Sequence, residues 1–334
     1  MRTVIVLVGP IVAGAALGAF LLARAVGVLP PHPASASCRA PDRSELHIAG
    51  GTFQMGSVEY YAEEGPVHAE TVAPFWIDRY DVTNAEFARF VAATHYVTDA
   101  EKRPNPADYP EIDKDKLTAG GAVFIAPKGG VRTMEDPMQW WGFVPGADWR
   151  HPDGPDSTIV GHDNDPVVQV SYNDALAYAK WAGRELPTEA QYEFAARGGL
   201  DSKTYAWGDE LTPGGVQQAN VWQGTFPTAN VVADGFSSRA PVGCFPANGY
   251  GLYDMIGNVW KWTSSLYTAA DAKDEMPEMP MSRTPASRVL RTIKGGSFLC
   301  APNYCRRYRP AARQSQETGF SAAHLGFRTV SNRQ

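Results

Sequence analysis

Glycine and proline interrupt this chain throughout: 32 glycines and 26 prolines among 334 residues, with no fixed period. Proline fixes φ and removes a backbone donor, whereas glycine admits conformations closed to other residues. A chain punctuated so often cannot sustain long helices or wide regular sheets. The lack of a period excludes collagen-like and solenoid architectures. Nine tryptophans supply apolar bulk for a core, and the length suits one large domain or two small ones. A loop-rich globular fold with many tight turns is therefore predicted. A formal net charge of −6 argues against a nucleic-acid footprint.

The amino terminus is different in kind. Thr3 to Ala23 is an almost unbroken apolar run, with Arg2 before it and Arg24 after it. Ala34-Ser35-Ala36 follows as a small-residue cleavage site, and the run is also about long enough to span a bilayer. Residues 1–37 thus read as a signal peptide, or as a membrane anchor with a linker, ahead of a domain at 38–334. Either reading predicts an exported domain: periplasmic, extracellular or lumenal, with membrane anchoring as the alternative to release. Ser35-Ala36-Ser37 before Cys38 lacks the leucine expected three residues before a lipidated cysteine. Export makes disulfides permissible, and the four cysteines allow three pairings. Cys300 with Cys305 is one candidate pair, which leaves Cys38 and Cys244 with their meeting undecided.

Local signals are sparse but sharp. Phe53-Gln54-Met55-Gly56 and Thr71 to Ile77 have strand-like composition. Thr83-Asn84-Ala85-Glu86 is a capping box ahead of Phe87, Phe90 and Val91. Ser171 opens a second helix carrying Ala175, Leu176, Tyr178 and Ala179, closed by Gly183. A further box, Thr188 to Gln191, starts a third helix with Tyr192, Phe194 and Ala195 that stops at Gly198-Gly199. Residues 101–168 are rich in Pro, Gly and Asp, and loops that long are usually functional. Within them His151-Pro152-Asp153-Gly154-Pro155-Asp156-Ser157 is a rigid turn fit to line a cleft or simply to turn the surface.

Chemistry concentrates near the carboxyl terminus. In Lys294 to Arg309, Cys300 and Cys305 follow a Gly-Gly-Ser turn and precede Arg306, Arg307 and Arg309, whose charge would favour thiolates. On spacing alone, a local structural disulfide is the plainer reading of the pair. Ala219 to Gly257 is dense in oxygen donors, among them Asn220 and Asp234, although no EF-hand spacing is present. Met276, Met279 and Met281 lie in a Pro-rich acidic insert, and their thioethers suit copper capture.

These segments together closely resemble the formylglycine-generating enzymes, or sulfatase-modifying factors, from about Ile48 to Arg328. The marks are Gly50-Gly51-Thr52-Phe53-Gln54-Met55-Gly56, Trp149 to Pro155, Leu186 to Glu193, Tyr250 to Trp260, the cysteine stretch, and Leu325-Gly326-Phe327-Arg328. The resemblance implies a single compact α+β domain with little regular secondary structure, related to C-type lectin-like folds. It also implies oxidation by O₂ of a cysteine in a Cys-x-Pro-x-Arg segment of an unfolded sulfatase precursor polypeptide, giving Cα-formylglycine. Cys300 and Cys305 would hold Cu(I), with Ser297 and Asn258 shaping an oxygen pocket and Trp260 and Tyr304 lining a peptide groove. A disulfide between the two cysteines would then be the oxidised, copper-free state. A Ca²⁺ site matches Asn220, Asp234 and the carbonyls of Val221 and Phe236. A second would use Asp254 and the carbonyls of Gly257 and Val259 with a carboxylate at position 261. Lys261 stands there instead, and an ammonium repels a cation, so one calcium is expected.

Two other classes fit the scaffold. A non-catalytic lectin-like binding module would not need the cysteine pair. A non-haem iron enzyme would need clustered histidines, and the seven here show no close pairing. The Cys-x₄-Cys spacing also differs from the redox motif Cys-x-x-Cys.

Overall fold

Three helices begin as their capping boxes dictate. In the computed structural model, which describes Cys38 and residues 44–110, 112–268 and 289–333, α1 (Asn84–Thr94) is capped by Thr83 with Glu86. Helix α2 (Tyr172–Trp181) is capped by Ser171 with Asp174, and α3 (Glu189–Arg197) by Thr188 with Gln191. Each box satisfies two of the backbone donors orphaned at a helix start. Helix α3 ends at Gly198, whose φ of 60° is the left-handed stop.

Strands β1 (Glu45–Ile48), β2 (Gly51–Met55), β3 (His68–Val72) and β4 (Phe75–Asp78) precede α1. The apolar run from Thr71 to Ile77 is therefore two strands, because Pro74 lacks the donor a continuous strand needs there. Next come β5 (Gly120–Phe124) and β6 (Trp141–Pro145), then β7 (Trp260–Leu266) and β8 (Leu290–Lys294). Last are β9 (Arg313–Glu317), β10 (Leu325–Gly326) and β11 (Val330–Ser331). They form a three-stranded sheet in the order β1-β4-β11, a four-stranded sheet β10-β7-β8-β9, and the hairpins β2-β3 and β5-β6. The mixed α+β class agrees with the expectation, and the described residues within Pro31–Gln334 form one compact unit.

Aromatic side chains fill the core. Phe75, Phe87, Phe90, Trp140, Tyr192, Phe226 and Trp262 are all fully enclosed, each worth roughly 1.5–3 kcal/mol of burial. Phe87 meets Phe90, Trp149, Tyr178 and Phe327, which ties α1 and α2 to the carboxyl-terminal strands. Cys38 is bonded to Cys244 as a disulfide, which settles the pairing that spacing left undecided. The amino-terminal apolar run and the insert with Met276, Met279 and Met281 lie outside the described residues. Among the described residues no helix is long and apolar enough to cross a membrane.

Candidate functional site

The cysteine turn is built from its glycines onward. Strand β8 ends at Lys294, and Gly295 and Gly296 follow with φ of 92° and 71°. A Cβ on Gly295 would lie 2.7 Å from the Met255 carbonyl oxygen, so only glycine fits this left-handed turn. Cys300 N donates to Ser297 O at 2.9 Å, and Cys305 N donates to Ala301 O at 3.0 Å. The chain doubles back, the two Cα atoms stand 4.5 Å apart, and the sulfurs are joined as a disulfide. Both residues are buried, at 1 % and 6 % exposure.

Around this turn the predicted residues take different positions. Ser297 is fully buried; its Oγ accepts from Leu299 N at 3.3 Å and lies 3.4 Å from His324 Nδ1. The His324 ring meets Trp141 edge-on with centroids 4.6 Å apart, and burial pushes its pKa down to about 3, so the imidazole is neutral. Sequence reasoning missed His324, because no neighbouring motif points to a partner 27 positions away. Asn258 is a structural bracket. Its carboxamide accepts from Ala240 N and Asn220 Nδ2 and donates to Ala240 O, at 2.9, 3.0 and 3.0 Å. Three of that side chain's four hydrogen-bonding positions are thus spent tying residues 220 and 240 together, a bracing role distinct from the oxygen pocket expected of it. Its carbonyl instead accepts from Phe298 N at 2.9 Å and so steadies the cysteine turn. Trp260 has 1 % of its surface exposed, too little for the floor of an open groove. Tyr304 is half-buried and stacks on Phe226 with centroids 4.5 Å apart, beside Trp140.

The three arginines also differ from expectation. Arg307 pairs with Glu63 at 2.6 Å, and Arg309 takes both oxygens of Glu64. Their charge is neutralised locally and supplies little net field to the thiols. Arg306 alone keeps an exposed side chain, its Nε on the Pro302 carbonyl at 3.0 Å. The His151–Ser157 segment is held chiefly by its own turn bonds, such as His151 Nδ1 to Ser157 O at 2.6 Å and Ser157 Oγ to Gly154 O at 2.7 Å. Arg239 clamps it through both oxygens of Asp153.

Two oxygen clusters flank the turn. In the first, Val221 O and Asp234 Oδ2 converge on one donor, Gln223 Nε2, the latter at 2.6 Å. Asn220 Oδ1 is buried with no hydrogen-bond partner, and desolvation raises the Asp234 pKa. Converging acceptors with one left over suit a hard cation. The Phe236 amide, by contrast, donates to Asp234 Oδ1 at 2.9 Å. In the second cluster, Lys261 is fully buried and its Nζ donates to Gly257 O at 2.7 Å, with Asp81 Oδ2 at 3.6 Å. Asp254 Oδ2 accepts from Gly243 N at 2.7 Å, and burial raises its pKa to about 6. The ammonium engages one of the carbonyls that a second calcium would require. Among the described residues, no group of three or more His, Cys, Asp or Glu is arranged to hold a metal.

Fold and site together define a loop-built α+β domain that carries a buried cysteine pair on a glycine-led turn. A family model described as the sulfatase-modifying factor enzyme 1-like domain matches residues 32–333. The formylglycine-generating enzyme of Mycobacterium tuberculosis is 50 % identical over 292 residues, covering 86 % of this chain and 97 % of that protein. That of Thermomonospora curvata is 47 % identical over 290 residues, covering 85 % and 92 %. Among solved structures, PvdO from Pseudomonas aeruginosa shares the fold, with a TM-score of 0.54 at 22 % identity over 88 % of this chain and 99 % of that one. The chain belongs to the formylglycine-generating enzyme family of sulfatase-modifying factors.

Proposed function

We propose that this chain oxidises the cysteine of a Cys-x-Pro-x-Arg segment in an unfolded sulfatase precursor to Cα-formylglycine, using O₂ and a Cu(I) held by Cys300 and Cys305. The observation that carries the reading is the pair itself. Two sulfurs are brought within bonding reach on a buried turn in a chain of this family. Two soft donors, with no group of three or more His, Cys, Asp or Glu arranged to hold a metal among the described residues, suit low-coordinate Cu(I) better than a closed zinc site. When bound, the copper would supply the activation of O₂. The protein's own part is to hold both sulfurs still, to exclude bulk water through Trp140, Phe226 and Tyr304, and to offer Tyr304 to the incoming peptide. Overall, the substrate CH₂SH and O₂, with two electrons and two protons from a thiol reductant, give the aldehyde, H₂S and water. Lectin-like binding without chemistry is the second reading, and the retained cysteine pair weighs against it.

Calcium belongs to the same proposal. Asn220 and Asp234 with the carbonyls of Val221 and Phe236 would hold one ion, displacing Gln223 Nε2 from between Val221 O and Asp234 Oδ2. At the second cluster Lys261 keeps the cation's place, so Asp254, Gly257 and Val259 hold no ion. Export through the amino-terminal segment is proposed on its composition. The test is to reduce the domain, load Cu(I), add O₂, thiol and a Cys-x-Pro-x-Arg peptide, and weigh the product. The peptide should exchange its CH₂SH for an aldehyde, and Cys300→Ser should abolish the change. Turnover by Cys300→Ser at the normal rate would sink the proposal.

A further inference from the structure

The two sulfurs lie five residues apart in the chain, yet different parts of the molecule hold them. Cys300 is fixed through its carbonyl, which accepts from Trp222 N at 3.0 Å, and through its amide, which donates to Ser297 O at 2.9 Å. Cys305 is followed at once by a clasp from a segment more than 240 positions earlier. Arg306 N donates to Tyr61 Oη at 3.0 Å. Arg307 pairs with Glu63 at 2.6 Å and lies over the Tyr61 ring at 4.2 Å. Arg309 grips both oxygens of Glu64 and lies over the Tyr60 ring at 3.9 Å. Glu63, Glu64, Arg307 and Arg309 are all buried, between 2 % and 6 % exposed. A single 3-10 turn, Ala62–Glu64, presents both carboxylates from consecutive residues. Charges taken this far out of water stay only where geometry is closely kept, and unpairing one is strongly unfavourable.

We infer that Tyr61, Glu63 and Glu64 are positioning residues for Cys305, setting where its sulfur stands relative to that of Cys300. Packing alone would not need contacts on Arg306, Arg307 and Arg309 directly after the reactive residue. Ion pairing in the interior resists rotation of the turn, and the Tyr61 hydroxyl pins the first peptide beyond Cys305. Once the disulfide is reduced, nothing covalent holds the sulfurs together, and the clasp and the Trp222 contact then set their separation. The inference rests on the reading of Cys300 and Cys305 as a reactive pair.

The test uses the reduced full chain. Tyr61→Phe removes only the hydroxyl, and Glu64→Asp shortens one arm while keeping its charge, so both variants should fold. The first measurement is the alkylation rate of each cysteine, mapped by mass spectrometry, which needs neither copper nor turnover. Cys305 should react several-fold faster in both variants while Cys300 is unchanged. Cu(I) affinity, measured by competition with a chromogenic chelator, should weaken several-fold, because two donors no longer held at a fixed separation are less preorganised for the ion. In peptide turnover kcat should fall with KM little changed. An unaltered Cys305-to-Cys300 alkylation ratio in both folded variants would overturn the clasp. Wild-type protein that never converts the peptide would instead count against the proposed function and leave the alkylation ratio standing as its own result.

Discussion

Lys261 shows how one side chain can redirect a site. Its ammonium sits on the Gly257 carbonyl, near Asp81 and Asp254, with no exposed surface. Replacing it by a carboxylate removes the resident cation and adds ligands. Lys261→Glu should therefore bind one more calcium per chain than the wild type, counted by elemental analysis after dialysis, while Lys261→Met gains none. Asp174 allows a test against pH. Burial raises its pKa from 3.8 to about 6, so the native state holds its proton more tightly than the unfolded chain does. Its ionisation is unfavourable to the fold: the penalty is absent below about 4, grows between about 4 and 6, and is complete above that, amounting to roughly 3 kcal/mol. Urea midpoints of the wild type should rise as pH falls from 7 to 5, and Asp174→Asn should flatten that slope. That Cys300 and Cys305 could pair was legible in their spacing, and the two are joined in the folded chain. The neutralisation of Arg307 and Arg309 was not, because their partners, Glu63 and Glu64, are 244 and 245 positions away.

Between elements, the oxygen-rich loop and the cysteine turn are directly joined. Asn220 O accepts from Asn258 N at 2.8 Å, and two residues on Trp222 N donates to Cys300 O at 3.0 Å. An ion between Asn220 and Asp234 would therefore stiffen the support of Cys300. Calcium chelation, or Asp234→Ala, should lower the thermal midpoint by a few degrees, as a loss of about 1 kcal/mol or more does. It should also speed alkylation of Cys300 more than of Cys305; equal rates would separate the loop from the site. The three capped helices were readable because a capping box is complete within four residues. The β5-β6 hairpin was not, since Gly120-Gly121 opens it and a long connection separates its strands, leaving residues 101–168 looking like loop alone. The register pairing Phe124 with Trp141 depends on packing with Trp222 and Phe226, which no local pattern records.

For the molecule as a whole, the Cys38–Cys244 bond spans 206 positions. Loop-closure entropy for so long a span is worth up to about 5 kcal/mol. Cys38→Ser should thus lower the urea midpoint markedly while leaving peptide conversion close to normal, since neither cysteine belongs to the 294–309 turn. An unchanged midpoint would show that the unfolded chain is not restrained by the bond. Composition announced a loop-rich domain, but four cysteines admit three pairings, and only the folded chain chooses among them. The same bond has a consequence for wear. A protease that cuts the backbone once anywhere from residue 39 to residue 243 produces two fragments that remain one molecule until the bond is reduced. Nicked protein would run as a single band on a non-reducing gel and as two after thiol treatment, so damage to the long loops need not release any part of the chain.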